Sequence, residues 1–289
     1  MRNIDLESLH IFKTVVDYGG ITRAASQLNR VQSNITTRVK NLEQRLGVKL
    51  FQRQGGKLVL SSEGKLLLSY AERLLRLSTE AEAALRSKVP QGTLRIGTME
   101  STAAARLPPL LSRYHNDYPE VQIELVTGTS GALIAKVHRF EVEAAFVAEP
   151  FSAAGLEMQE AFQEELVLIT SKNAPPVKTP KDLRKQTLIA FSTGCSYRRV
   201  LENWIAMSSI VPDRVLELAS YHAIVACVAA GSGIAIVPRT VIAVMHAEND
   251  VAVYPLPDRV ARAKTWLVWR DGHQSVALDA MRDALKKKR

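Results

Sequence analysis

The spacing of apolar residues changes near residue 90, and this change divides the chain into two parts. Before residue 90 the apolar residues recur at the three- and four-residue intervals of amphipathic helices. From Thr93 onward, short apolar runs alternate with helical patterns, which is typical of an α/β fold. Between the two parts, Pro90 and Gly92 disfavour helical backbone. We therefore predict two domains joined by a hinge at residues 90–92.

Positive charge is concentrated in the first part of the chain. The 289 residues include 38 Lys and Arg against 29 Asp and Glu, a formal net charge of +9. Residues 1–90 hold 15 basic and 8 acidic side chains, a net charge of +7, whereas residues 91–289 hold 23 and 21, a net charge of +2. This excess indicates an anionic partner such as nucleic acid, bound by the first domain.

Several classes of protein are disfavoured by the composition. The N-terminus carries acids at Asp5 and Glu7, and no apolar run has the length of a leader's core or a membrane span. We therefore expect a cytoplasmic protein with no membrane partner. Two cysteines are too few for a disulfide framework, and the six His residues show no zinc-binding spacing, so neither a metal nor a cofactor is expected.

Three helices are predicted in the first fifty residues. The first ends at Gly19-Gly20, and the short second helix has Thr22 as its expected N-cap. The third runs from about Gln32 to Leu46 and directs four apolar residues at helical spacing toward the core: Ile35, Val39, Leu42 and Leu46. After Gly47, an alternating stretch predicts a hairpin that turns at Gln54-Gly55-Gly56.

The outward face of the third helix is polar, and basic residues flank the hairpin turn. Such donors and acceptors suit base edges and phosphates better than protein packing. The alternative is a three-helix bundle whose basic face is merely solvated. We predict that double-stranded DNA is contacted by these residues: Gln32, Ser33, Asn34, Thr36, Thr37, Arg38, Lys40, Arg53 and Lys57.

The first ninety residues resemble the DNA-binding region of the LysR family of transcriptional regulators. The resemblance rests on Phe12, the run Gly20-Ile21-Thr22-Arg23-Ala24-Ala25, Leu28, Gln32-Ser33, Leu42-Glu43, Leu46-Gly47, Leu50-Phe51, Arg53 and Gly64. It implies a winged helix-turn-helix over residues 1–60, with the third helix as recognition helix. Many members have other residues where this chain has Asn34, Thr36 and Thr37, so relatives do not reveal its operator sequence.

A long linker helix is predicted over residues 61–89. Ser61 or Ser62 can cap it, with Glu63 in its first turn. Apolar residues then recur at coiled-coil spacing, at Leu67, Tyr70, Leu74, Leu77, Ala81 and Ala84. This seam predicts a homodimer, and the alternative is packing of the helix on its own winged helix. The family resemblance further implies a homotetramer.

The second domain, residues 93–289, is expected to bind a small molecule. Strands are predicted near 93–97, 121–126, 143–147, 165–169, 187–191, 214–218, 234–237, 251–255 and 264–269. Ligands of such sheets bind beyond the carboxyl ends of strands. Three loops at such positions are rich in hydroxyl groups, at residues 98–102, 127–131 and 192–197. For any single loop, ordinary helix capping is the alternative explanation.

This part resembles the LysR effector-binding domain, which looks like a periplasmic solute-binding protein. The resemblance implies two subdomains, one of about residues 93–163 and 266–289 and the other of about residues 164–265. Carried over by position, the effector contacts fall on Ser101, Thr102, Thr129, Val147, Glu149, Thr193, Cys195, Ser196, Tyr197, Tyr221 and His222.

The effector's chemistry is left open by the residues. Phrases such as Cys195-Ser196-Tyr197-Arg198-Arg199 and Ser220-Tyr221-His222 look like a LysR subgroup that includes the putrescine-utilisation regulator of enteric bacteria. That resemblance implies a polyamine-related or amino-acid-related effector. Two acids, Glu100 and Glu149, suit a cationic ligand, whereas Arg198 and Arg199 suit a carboxylate.

Two other functions compete with a regulator. Cys195 and His222 could form a nucleophile and base, but no third residue or nucleophile-elbow motif accompanies them. A transporter's solute-binding protein would leave the basic first domain unexplained. We predict a non-enzymatic regulator of the LysR type that binds promoter inverted repeats, contacts RNA polymerase and alters transcription in response to a small-molecule effector.

Overall fold

The computed structural model describes residues 4–86, 89–177, 179–210, 212 and 214–286. Its contacts divide the chain into two units, residues 1–87 and 88–289. Within the described ranges, no helix combines the length and the apolar character needed to cross a membrane.

Unit 1 contains four helices and a two-stranded hairpin among its described residues. Their bounds are α1 Leu6–Asp17, α2 Ile21–Gln27, α3 Gln32–Leu46, β1 Phe51–Gln54, β2 Lys57–Leu60 and α4 Ser62–Arg86. The predicted third helix and the hairpin are confirmed. The last predicted linker residues include 87 and 88, which lie outside the described residues.

The ends of these elements follow from local chemistry. Asp5 caps α1 by accepting a hydrogen bond from the Ser8 amide at 2.7 Å. The hairpin turn places Gly55 and Gly56 at φ of 56° and 76°, a conformation that favours glycine. The prediction that Thr22 caps α2 is wrong, because Gly20 occupies the N-cap and the helix begins at Ile21.

The linker helix α4 packs on its own winged helix along one side and is open along another. Leu67 joins a core cluster with Leu9, Phe12 and Leu42, so its assignment to the seam is wrong. The exposed apolar stripe contains the predicted Tyr70, Leu74 and Leu77, with Leu66 in place of Leu67. Ala81 is also exposed, and the side chain of Ala84 lies outside the described part.

Unit 2 is an α/β structure in its described ranges. Its strands are β3 Gly92–Thr98, β4 Val121–Thr127, β5 Ala144–Ala148, β6 Leu156–Ser171, β7 Thr187–Ala190, β8 Arg214–Glu217, β9 Ala235–Pro238, β10 Val251–Pro255 and β11 Arg262–Arg270. Its α-helices are α5 Glu100–Ala105, α6 Leu107–Asp117, α7 Ser130–His138, α8 Ser196–Ala206, α9 Tyr221–Ala229, α10 Arg239–Met245, α11 Asp258–Ala261 and α12 Val276–Lys286. Every predicted strand is present, and a short 3-10 helix covers Pro180–Leu183.

Two lobes share the long strand β6. In lobe I, β4, β3 and β5 run parallel, and β11 pairs antiparallel with both β5 and the first half of β6. In lobe II, the second half of β6 pairs with β9 and β10, and β7 pairs with β8. β6 therefore crosses from one lobe to the other without a break.

The first half of β6 was not predicted. Residues 156–164 carry acids and glutamines that interrupt an apolar run. The strand forms because it pairs with β11 through the register Leu156↔Arg270 to Glu165↔Arg262, and the sequence alone does not show that partner.

Both lobes are held by buried apolar side chains. In lobe I, helices α6 and α12 pack on the sheet, and the buried Tyr114 hydroxyl donates to the carbonyl of Ala277 at 2.8 Å. In lobe II, α9 and α10 pack on β6 and β9. A third cluster contains residues of both lobes, including Val147 of β5 and Leu201 of α8.

We predict that Gly64→Ala destabilises unit 1, although alanine usually favours a helix. A Cβ at Gly64 would lie 2.1 Å from the Leu50 carbonyl oxygen, so the α4 backbone must shift. Overpacking of this kind costs about 1–3 kcal/mol. Gly131→Ala is the control, because its Cβ would meet only atoms at 3.7 Å. Calorimetric unfolding of both variants checks this, and equal stability would contradict it.

Candidate DNA interface and interlobe ligand site

The outward face of α3 is exposed and polar. Of the predicted contact residues on this helix, Thr36 and Arg38 are half-buried and the remainder are exposed: Gln32, Ser33, Asn34, Thr37 and Lys40. A shallow groove of about 350 Å³ runs along this face between Val31 and Asn41. Val31, which precedes the helix, is 69% exposed. The face therefore offers amide, hydroxyl and methyl groups together.

Two of the predicted contact residues already have partners in unit 1. The Thr36 hydroxyl donates to the Gln32 carbonyl at 2.9 Å, a bond within the helix. Arg38 lies 3.5 Å from the Glu7 carboxylate. Asn34 and Thr37 line the groove itself, so they are better placed than Thr36 to donate outward.

Two carboxylates, those of Asp5 and Glu43, hold the C-terminal part of α3 in place. Arg45 donates to Asp5 and to the Ser8 hydroxyl, each at 2.8 Å, which holds α3 against α1. Glu43 is buried and accepts from the Leu50 amide at 2.9 Å and from Lys49. Burial raises its pKa, but these hydrogen bonds outweigh burial, and the net shift is downward.

The wing carries its two basic residues on opposite strands. Arg53 lies on β1 and Lys57 on β2, and both are exposed beside the Gly55-Gly56 turn. The structure thus places the nine predicted DNA contacts on the α3 face and on the wing of unit 1. The links from Glu43 to Leu50 and from Asp5 to Arg45 were not predicted, because the partners lie 7 and 40 residues away in the sequence.

In unit 2, loops from both lobes meet at what we call the interlobe site. The Ser196 hydroxyl of α8 donates to the Ala148 carbonyl at the end of β5, at 2.7 Å. The Gly131 amide of α7 donates to the Gly194 carbonyl at 3.3 Å. The site is therefore bridged by direct hydrogen bonds between lobe I and lobe II.

Some of the predicted effector residues have structural roles. Thr129 is the N-cap of α7 and accepts from the Ala132 amide at 3.4 Å. Val147 is fully buried in the core, and the Glu149 carboxylate accepts from the Trp266 indole at 3.3 Å. Ser130, which was not predicted, accepts from the Ala148 amide at 3.1 Å.

The remaining predicted effector residues surround the junction of the lobes. Ser101, Thr102, Ser196, Tyr197 and Tyr221 are buried, Cys195 is half-buried, and Thr193 and His222 are exposed. An open groove of about 490 Å³ at the N-termini of α7 and α8 is lined by residues that include Ser130, Phe151, Thr193, Cys195, Arg198 and Arg199.

Three buried oxygen atoms near this junction have no hydrogen-bond partner within the described part of the chain. They are the Tyr197 hydroxyl, Thr265 Oγ1 and Glu100 Oε2. Burial raises the pKa of Tyr197 and of Glu100. Thr265 was missed because it lies within the predicted strand 264–269 rather than in one of the hydroxyl-rich loops.

The nucleophile and base suggested by Cys195 and His222 do not form a pair. Burial raises the pKa of the Cys195 thiol, which disfavours the reactive thiolate. The described residues show no hydrogen bond or ion pair between Cys195 and His222.

The sequence matches two family models. Residues 6–65 match the bacterial regulatory helix-turn-helix protein of the lysR family, and residues 87–289 match the LysR substrate binding domain. Together they cover both units. The chain belongs to the LysR family of transcriptional regulators.

Curated relatives agree with this assignment, and a solved structure has the same fold. The chain is 40% identical over 278 residues to the uncharacterized HTH-type transcriptional regulator YusT of Bacillus subtilis, covering 96% of this chain and 93% of YusT. It is 37% identical to the regulator GltR of the same organism, covering 92% and 90%. The crystal structure of full-length CbnR with its target DNA matches with a TM-score of 0.71 at 23% identity, over 98% of this chain and 99% of CbnR.

The family assignment confirms the predicted class of protein. The chain is a DNA-binding transcriptional regulator with a helix-turn-helix and an effector-binding domain, and its family consists of regulators rather than enzymes. LysR regulators bind DNA and small-molecule effectors and form oligomers. The predicted fold class is also confirmed.

We expect unit 1 to lose stability as the pH falls from about 4 to about 2. The Ser8 amide and Arg45 lower the pKa of Asp5 from 3.8 to about 2. Because the pKa of Asp5 is lower in the folded state, the ionised carboxylate stabilises unit 1 fully above pH 3.8. This stabilisation is lost as the pH falls through 2. Urea unfolding at several pH values measures this. Between pH 4 and pH 2 the free energy of unfolding should fall less in Asp5→Asn than in the wild type.

The control for this experiment is Asp17→Asn, which removes an equal charge at the other end of α1 without touching the cap. Identical pH dependence in Asp5→Asn and the wild type would contradict the role given to Asp5.

Proposed function

We propose that this regulator acts in the cytoplasm as a homo-oligomer on promoter inverted repeats, and that an effector bound between lobes I and II changes transcription. The observation that supports it best is the exposed polar face of α3 within a LysR helix-turn-helix. Two such faces in a symmetric dimer require a DNA site with the same two-fold symmetry.

The α3 face and the wing supply different kinds of DNA contact. Asn34 and Thr37 can hydrogen-bond base edges in the major groove, and Asn side chains pair well with adenine. Arg53 and Lys57 carry exposed positive charge suited to phosphates, which position the protein without reading sequence. We therefore assign base readout to α3 and backbone contact to the wing.

Dimer formation is proposed to use the exposed stripe of α4. Leu66, Tyr70, Leu74 and Leu77 are 43–61% exposed in this helix. Apolar side chains at this spacing are stabilised by pairing with a second helix. Two dimers would form the homotetramer that the family resemblance implies.

Effector binding is proposed at the interlobe site. The hydrogen bonds that Ser196 and Gly131 make between the lobes depend on how the lobes are oriented. A ligand that binds one orientation better than another shifts the equilibrium between these orientations. This shift would change contact with DNA or RNA polymerase. The two effector classes implied by the subgroup resemblance are polyamine-related and amino-acid-related compounds.

Footprinting upstream of the protein's own gene and its divergent neighbour tests the proposal directly. The expected result is protection of an interrupted palindrome, with a boundary that shifts on adding one compound from a panel of polyamines, amino acids and small carboxylates. No protection at low salt would overturn the proposal, because phosphate contacts are strongest there.

We predict that Asn34→Ala weakens operator binding by about ten- to a hundredfold while changing non-specific binding much less, since each good base contact contributes about 1–3 kcal/mol. Thr36→Ala is the matched control, because the Thr36 hydroxyl is bonded within the helix. Gel-shift titrations on operator and random DNA give both affinities. An equal loss on the two DNAs would contradict base readout by Asn34.

We also predict that Ser196→Ala blunts the effector response. Removing the hydroxyl deletes the bond to Ala148 that joins the lobes, so the ratio of operator affinities with and without effector should move toward one. Titrating operator binding at fixed effector concentrations measures this ratio. Ser208→Ala, in the turn that follows α8, serves as control, and a wild-type ratio in Ser196→Ala would exclude Ser196 from the response.

A further inference from the structure

Two arginines at the recognition face of unit 1 share one carboxylate. The Oε1 atom of Glu7 lies 2.8 Å from the guanidinium of Arg30, and its Oε2 atom lies 3.5 Å from that of Arg38. Glu7 belongs to α1, Arg30 to the turn before α3, and Arg38 to α3 itself. Three separate parts of unit 1 therefore bring these side chains together.

The turn between α2 and α3 fixes the position of Arg30. Asn29 adopts a φ of 52°, in the left-handed region, and the Arg30 amide donates to the Ala25 carbonyl at 2.9 Å. Arg30 then directly precedes Val31, the exposed N-cap of α3. A cation is thus placed at the start of the recognition helix.

Arg38 lies where two grooves on α3 meet. It lines the groove of about 350 Å³ between Val31 and Asn41, and it also lines a second open groove of about 600 Å³ that extends to Arg45. Because Glu7 is paired with Arg38, its carboxylate lies beside the surface expected to face DNA.

Both ion pairs are exposed enough to be exchanged. The side chains of Glu7, Arg30 and Arg38 are 46%, 37% and 40% exposed. Exposed ion pairs contribute little to stability, because water and salt screen them. Guanidinium groups bind phosphates with the same fork of donors that they use for carboxylates. A DNA phosphate can therefore replace Glu7 while the fold of unit 1 is kept.

We propose that Arg30 and Arg38 form a binding site for a DNA backbone phosphate, and that Glu7 competes with the phosphate for this site. This inference rests on the proposed function, in which the α3 face contacts DNA. It gives α3 a backbone contact at Arg38 besides base readout. Phosphate contacts carry no sequence information, so the competition acts equally on operator and non-specific DNA.

Glu7→Gln tests the competition on the full chain. The amide removes the negative charge and keeps the size of the side chain. Affinity for a random duplex, measured by fluorescence anisotropy in about 0.1 M salt, should therefore rise about threefold or more. Unchanged or weaker binding would overturn the proposal, and misfolding of the variant cannot produce an increase.

Asp17→Asn is the matched control for this gain. It removes the same charge from α1, again from a carboxylate paired with a cation, Lys13. Asp17 lies at the other end of α1, about 15 Å from Glu7 at the rise of an α-helix. That distance exceeds the screening length of about 10 Å in this salt, so affinity should change less than about 1.5-fold. An equal gain in both variants would show an effect of net charge alone and would overturn the proposal.

Arg30→Gln tests the phosphate site itself. Binding to the random duplex and to the upstream fragment should weaken by the same factor, about threefold or more, and the slope of log K against log salt should become shallower by about 0.9 for each DNA-binding unit. Arg139→Gln, which removes an exposed arginine of unit 2, should leave both quantities unchanged. A loss confined to the upstream fragment would indicate base readout by Arg30 and would overturn the proposal.

The wild type separates this inference from the proposed function. If it binds neither the upstream fragment nor the random duplex, the proposed function fails. If it binds DNA while Glu7→Gln and Arg30→Gln bind as the wild type does, the proposed function stands and the inference fails.

Discussion

The hydrogen-bonded ladder of β6 is the constraint on which the effector-binding domain depends. One half of this strand pairs with β11 in lobe I, and the other half pairs with β9 and β10 in lobe II. Because the strand is continuous, the lobes cannot separate and can only change their angle about it. The register of the β6–β11 ladder shifts once, between Thr265 and Trp266 of β11, because Ala161 of β6 is an extra residue there.

In unit 1, the carboxylates of Asp5 and Glu43 have structural roles, and the exposed amides and hydroxyls of α3 are the groups proposed to contact DNA. Asp5 and Glu43 hold α3 through Arg45, Lys49 and backbone amides. The negative charges of Asp5 and Glu43 are therefore balanced within unit 1.

Much of this architecture could be predicted from the sequence, because the spacing of apolar residues and the residues that form turns are local properties. Helix α3, the Gly55-Gly56 hairpin and every predicted strand are present. Two features that depend on distant partners were not predicted. The first half of β6 forms by pairing with β11. Leu67 turns inward because it packs in the core with Phe12 and Leu42. For the candidate ligand site, hydroxyl-rich loops led to Ser196 and Tyr197, but not to Thr265, which lies within β11.

The contact between Gly131 and Gly194 joins the lobes through main-chain atoms, an amide of one and a carbonyl of the other. Every amino acid except proline supplies such atoms, so this contact does not depend on which side chains line the rest of the site. Substitutions around it can alter the accepted ligand while the docking of the lobes stays the same. A main-chain contact of this kind leaves the surrounding side chains free to diverge while the backbone geometry of the contact is kept.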